Sequence, residues 1–149
     1  MTPEDADIPA FTLVNCVAQI DLPQLQELLH STGFHVIALD GKLVNDKASF
    51  LAQAEIDLPH VAGMRPANWD ALADYLWNGL YELGEEQVAL VWTDADQTVH
   101  GDLQDLMDAL RVITGVADGV RDGHGFPRPT TLLIFLVGDG PEFRRLAAR

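Results

Sequence analysis

The sequence predicts an α/β domain, a mainly parallel sheet packed with helices. Three observations carry that expectation. Continuous apolar runs at Phe34–Asp40, Gln87–Thr93 and Thr130–Val137 read as strands buried on both faces. Amphipathic stretches separate them, and strands alternating with helices indicate parallel strands joined by crossovers. With 149 residues, 48% of them hydrophobic, the chain is long enough for one core and gives no sign of a second.

The elements follow in order. Phe11–Ile20 ("FTLVNCVAQI") is apolar and partly β-branched, so a fourth strand can enter here through a βαβ unit. Leu22, Leu25, Leu28 and Leu29 recur at helical spacing, and Gly33 is a suitable stop. The strand at Phe34 closes on Asp40-Gly41, a turn dipeptide. A helix then starts with Asn45 or Asp46 as cap and carries Phe50, Leu51 and Ala54 on one face. Pro59, Gly63 and Pro66 break the next segment. A second helix is expected from Asn68 to about Leu83, ended by Gly84. After the strand at Gln87, Asp94 and Asp96 read as a polar loop. Asp102 then caps a helix whose stripe is Leu103, Leu106, Met107, Leu110 and Ile113. "DGVRDGHGFPRP" is a Gly- and Pro-rich loop before the last strand, and "PEFRRLAAR" is a short basic helix or a frayed end. The organisation expected is an N-terminal extension over 1–33 packed on the same domain, the main domain over 34–138 and a tail over 139–149.

Charge narrows the functional classes. There are 23 Asp and Glu against 9 Lys and Arg, a formal net charge of −14. Such a field repels phosphate backbones and anionic lipid and steers basic proteins inward. Direct nucleic-acid binding and membrane binding are therefore not expected; plain solubility is the competing explanation of the acidity. Cys16 is the single cysteine, which excludes an internal disulfide and a Cys-based zinc site and reads as a small buried hydrophobe. The acidic "MTPEDADIPAF" lacks the pattern of a secretory signal, and no apolar run is long enough to span a bilayer, so a cytoplasmic location is the expectation.

The most informative stretch is "NWDALADYLWNGL", Asn68 to Leu80. Pro66 and Asn68 explain its start: proline disfavours helix before it, and the asparagine side chain can accept an orphan backbone N–H. At 3.6 residues per turn, Trp69, Leu72, Leu76, Leu80 and Leu83 form the core stripe. Asp70, Asp74, Trp77 and Tyr81 fall on a neighbouring face that mixes acids with aromatics. An ordinary solvated face accounts for these residues, since Asp in a first turn is favoured by the helix dipole. A protein interface accounts for them too: carboxylates that meet Arg or Lys, with aromatics as anchors.

"NWDALADYL" after a strand–helix unit, followed by "VALVWT", a helix and "TTLLIFLVG", resembles the barstar family of intracellular inhibitors of barnase-type ribonucleases. The resemblance runs from about Phe34 to Val137. It implies a sheet of three parallel strands packed with helices, no catalytic activity and no cofactor. It also implies that the helix and its preceding loop plug the active site of a basic, extracellular-type ribonuclease. The family's Asn-x-Asp start falls on Asn68 and Asp70, and its second aspartate on Asp74. Asp74 would take the phosphate position among the enzyme's basic residues, with Asp70 supporting it. The free protein is expected to be monomeric. The segment before Phe34 looks like the N-terminal extension of larger barstar-like bacterial proteins, of antitoxin or immunity type.

The sequence also departs from the family's pattern. Val61 and Ala62 stand before Gly63 where aromatics are usual, which leaves His60 and Met64 as candidates to replace them. Ala73 stands where an aromatic often precedes the second aspartate, and Asp118 is the nearest match for a late acidic contact. The alternative is a non-catalytic interaction module on the same scaffold with a different partner. His30, His35, His60, His100 and His124 show no ligand spacing, so no metal site is expected, and the cluster Asp94, Asp96 and His100 reads as loop. No nucleophile elbow, P-loop or dinucleotide fingerprint is present.

Overall fold

The computed structural model describes residues 11–122 and 125–148; the acidic start through Ala10, Gly123 and His124 of the Gly- and Pro-rich loop, and Arg149 lie outside them. Strands β1 (Val14–Ala18), β2 (His35–Asp40), β3 (Gln87–Thr93) and β4 (Thr131–Gly138) form one sheet in the order β1-β4-β3-β2. Every pairing is parallel, with Val14 opposite Ile134, His35 opposite Val88 and Gln87 opposite Thr131. The helices are α1 (Leu22–Ser31), α2 (Lys47–Asp57), α3 (Trp69–Leu83), α4 (Asp96–Gly101), α5 (Leu103–Arg121) and α6 (Pro141–Ala147).

The continuous apolar strands are buried on both sides because each side has a cover. Val88, Leu90 and Trp92 of β3 and Leu132, Ile134 and Leu136 of β4 point into the main core with α2, α3 and α5. The alternate residues Ala89, Val91, Phe135 and Val137 meet Leu25 and Leu29 of α1 in a second core. Phe11 stands edge-on to Phe135 at 5.0 Å and closes that layer.

The fourth strand exists, but not as a simple βαβ neighbour. β1 and β2 occupy opposite edges, so α1 crosses the face between them and its leucines cover the central strands β3 and β4. β1 is also shorter than its apolar run. It stops at Ala18, and Ile20 lies in a 3-10 turn with 84% of its surface exposed. Cys16, on this edge strand, is half-buried rather than buried, and its partial burial pushes the thiol pKa up.

Helix starts follow the capping residues. Asp46 accepts the Ser49 N–H at 2.9 Å, and the Ser49 hydroxyl accepts the Asp46 N–H at 3.1 Å, a reciprocal box at the head of α2. Asp102 accepts the Asp105 N–H at 3.1 Å at the head of α5. The polar loop expected after β3 is instead the short helix α4, where buried Thr98 donates to the Val44 carbonyl at 2.6 Å. The tail is helical, held by buried Phe143. On α5, Leu103 and Met107 are each 36% exposed, outside the stripe expected of them, and Ala109, Val116, Ala117 and Val120 fill the core side instead. Among the described residues no helix is long and apolar enough to cross a membrane.

Candidate functional site

Asn68 sets the entry of α3. Its Oδ1 accepts the Ala71 N–H at 2.8 Å, and the helix ends at Gly84, where φ of +73° suits a residue without Cβ. The side chain of Asn68 therefore works as a cap. The buried residues of α3 are Leu72, Tyr75, Leu76, Gly79 and Leu80, a stripe at i, i+3, i+4, i+7 and i+8. That stripe is rotated from the expected one: Trp69 and Leu83 are only half-buried, and Tyr75 and Gly79 complete the core face. Gly79 gives the 59–67 loop a close approach, since a Cβ there would lie a tight 3.1 Å from the Pro59 carbonyl oxygen.

The seam between α3 and α5 opens into a groove of about 610 Å³. Trp69, Asp70, Ala73, Asp74 and Trp77 form its α3 wall; Asp108, Arg111, Val112 and Val116 face them from α5. Asp70 and Asp74 are exposed, one turn apart, and neither carboxylate has a hydrogen-bond or salt-bridge partner among the described residues. Asp108 is paired with Arg111 and accepts the Gln104 side-chain N–H at 3.0 Å. Trp69 joins this wall to the core, 5.9 Å from Phe50, with the Lys47 ammonium over its ring at 5.4 Å from the centroid.

The remaining expected residues are not all together. Trp77, half-buried and part of the groove wall, is also held from behind: it stands edge-on to Phe126 at 5.2 Å and packs over Gly119, where a Cβ would come within 2.7 Å of the ring. Tyr81, 55% exposed, is edge-on to the same Phe126 at 5.9 Å and lies outside the groove lining. His60 is exposed and Met64 half-buried against the core, both on the 59–67 loop and neither lining the groove. Asp118 pairs with Arg121 at 3.3 Å and is also outside it. The acid that α5 brings opposite α3 is Asp108, three turns earlier; sequence reasoning missed it because the α3–α5 packing register is a tertiary fact.

The described groove lining brings three carboxylates together, Asp70, Asp74 and Asp108, with no Ser, Cys, Thr, Lys or His among them. His100 is held away from a joint site with Asp94 and Asp96, its Nδ1 lying 2.6 Å from Glu142 Oε2 on α6. Among the described residues, no cluster of three or more His, Cys, Asp and Glu is placed to hold a metal ion.

The family described as Barstar (barnase inhibitor) matches residues 34–128, from the start of β2 through α5 and the loop beyond it. The chain belongs to the barstar family. The match leaves out β1 and α1, so this barstar-family chain carries an additional N-terminal strand and helix ahead of the matched region. Among curated proteins none matches. A similar solved structure is the crystal structure of Cdc6p from Pyrobaculum aerophilum, 13% identical with a TM-score of 0.46; the likeness covers 91% of this chain and 36% of that one.

Proposed function

We propose that this barstar-family protein is an intracellular inhibitor of antitoxin or immunity type, which binds a basic ribonuclease and blocks its active site without itself being a catalyst. The observation that carries the reading is the pair Asp70 and Asp74, exposed on one wall of the α3–α5 groove with no cation on either among the described residues. Unsatisfied carboxylates at a solvent-facing seam cost the free protein little and are ready to meet Arg or Lys. Asp74 would stand where the enzyme holds phosphate, with Asp70 beside it and Asp108 as a third acid across the seam. The overall charge of −14 favours fast encounter with a basic partner.

One observation favours the second reading, a non-catalytic interaction module with another partner. In the loop before α3, Val61 is buried and Met64 half-buried, so its apolar residues support the core instead of reaching outward. Co-purification of the tagged protein from its native cells, wild type against Asp70→Ala/Asp74→Ala, separates the two. A small basic ribonuclease held by wild type and released by the double variant is the expected result. A partner of another kind, retained by the double variant, would move the function to the second reading.

A further inference from the structure

One charge in the groove opposes the others. Arg111 is the only basic side chain among the described lining residues, facing Asp70, Asp74 and Asp108, and its guanidinium is on Asp108. The Arg111 side chain is 72% exposed and that of Asp108 only 23%, so the anion is the fixed member of the pair and the cation the movable one. Arg111 also lines the neighbouring apolar groove of about 490 Å³ between β1 and α5, beside Cys16 and Leu110. It stands on the ridge between two grooves, and its aliphatic stem has apolar surface on either side.

We propose that Arg111 is a specificity-determining residue of the interface: it occupies Oδ1 of Asp108 in the free protein and competes with a partner's cation for that carboxylate. This rests on the interface reading given above. The physical consequence is a threshold. A single incoming guanidinium at Asp108 must share or replace an existing ion pair, and Arg111 repels it on the way in. A basic surface that engages Asp70 and Asp74 together gains two new pairs while competing for one, so several cations at fixed spacing are favoured over isolated ones. Arg111 thereby filters a −14 protein against indiscriminate binding of small cations and single basic side chains.

The test uses a hexa-arginine peptide and free arginine as probes, titrated calorimetrically and located by amide chemical shifts on α3 and α5. The variants are Arg111→Gln, Asp70→Ala/Asp74→Ala and, as a charge control, Arg121→Gln, which removes an α5 cation outside the groove. Arg111→Gln should bind the peptide about two- to fivefold tighter and gain proportionally more for free arginine, narrowing the selectivity between them. Arg121→Gln should change neither by as much. If Arg111→Gln binds equally or more weakly while the double aspartate variant loses binding, the filter is wrong and the interface stands. Equal gains in the two arginine variants would reduce the effect to net charge and also overturn it. If removing both aspartates leaves the groove shifts and affinity unchanged, the interface reading falls and the filter with it.

Discussion

The two faces of the sheet are made from alternate residues of the same strands, yet they are covered differently. One face is covered by a single helix, α1, through Leu25 and Leu29 on Ala89, Val91, Phe135 and Val137, with Phe11 beside it. The other carries α2, α3 and α5, and only there do two long helices run side by side with a charged seam. A single helix can seal a surface, but a groove with two independently decorated walls needs a pair. The matched barstar region supplies that pair, and the extension supplies the seal.

The largest expected effects test whether both faces belong to one cooperative core. Leu76 is 1% and Leu29 0% exposed, so Leu76→Ala and Leu29→Ala should each cost about 2–5 kcal/mol in chemical denaturation. A Leu29 variant that loses far less would show that α1 is detachable cover. Next is Trp77→Ala, expected to cost about 1–3 kcal/mol through its contacts with Phe126 and Gly119. An unchanged melting temperature would return Trp77 to the role of a free anchor. Asn68→Ala should cost about 1 kcal/mol by uncapping α3, and Asn68→Asp should restore most of it.

Asp46 provides a test in pH. The Ser49 hydroxyl and amide hold its carboxyl below the ordinary 3.8, so the cap stabilises the folded state above that value and loses its contribution as pH falls through the lower folded value. The difference in stability between wild type and Asp46→Ala should therefore be constant near neutrality and shrink below about pH 4; a constant difference down to pH 2 would contradict the cap's ionic character. Smallest of all is Asp74→Ala, which should move stability by no more than about 0.5 kcal/mol while weakening partner capture. Loss of folding in that variant would make the aspartate structural and remove the contrast between core face and groove face.

The sequence made much of this scaffold legible, for local reasons. β3 and β4 announce themselves as uninterrupted apolar runs, and Asp46, Asn68, Asp102 and Gly84 mark helix ends by chemistry confined to a few residues. What escaped was decided at long range. Nothing near Val14 says that it will pair with Ile134 instead of joining β2. Tyr75 looks amphipathic between Ala71 and Gly79, yet it is fully buried, and its hydroxyl has no hydrogen-bond partner among the described residues. Trp77 shares a face with Asp70 and Asp74 on a helical wheel and lines their groove, but its packing on Phe126, from the loop after α5, is set at long range. The same tertiary packing brings Asp108 into the groove and leaves Asp118 at the far end of its helix.

The strand order has a consequence for how the molecule is made. Because β1 rests on β4, the first of the described strands to be made pairs with the last of them. Until Thr131–Gly138 is translated, Val14–Ala18 lacks that partner strand, and the apolar side of α1 waits on Phe135 and Val137. A nascent chain arrested before Thr131 holds β2 and β3, and α3 with its aspartates, but not the strand that anchors the N-terminal layer. The start and finish of the described chain thus share one fate: a nick that frees β4 also unseats β1, and the layer under α1 opens from both ends at once.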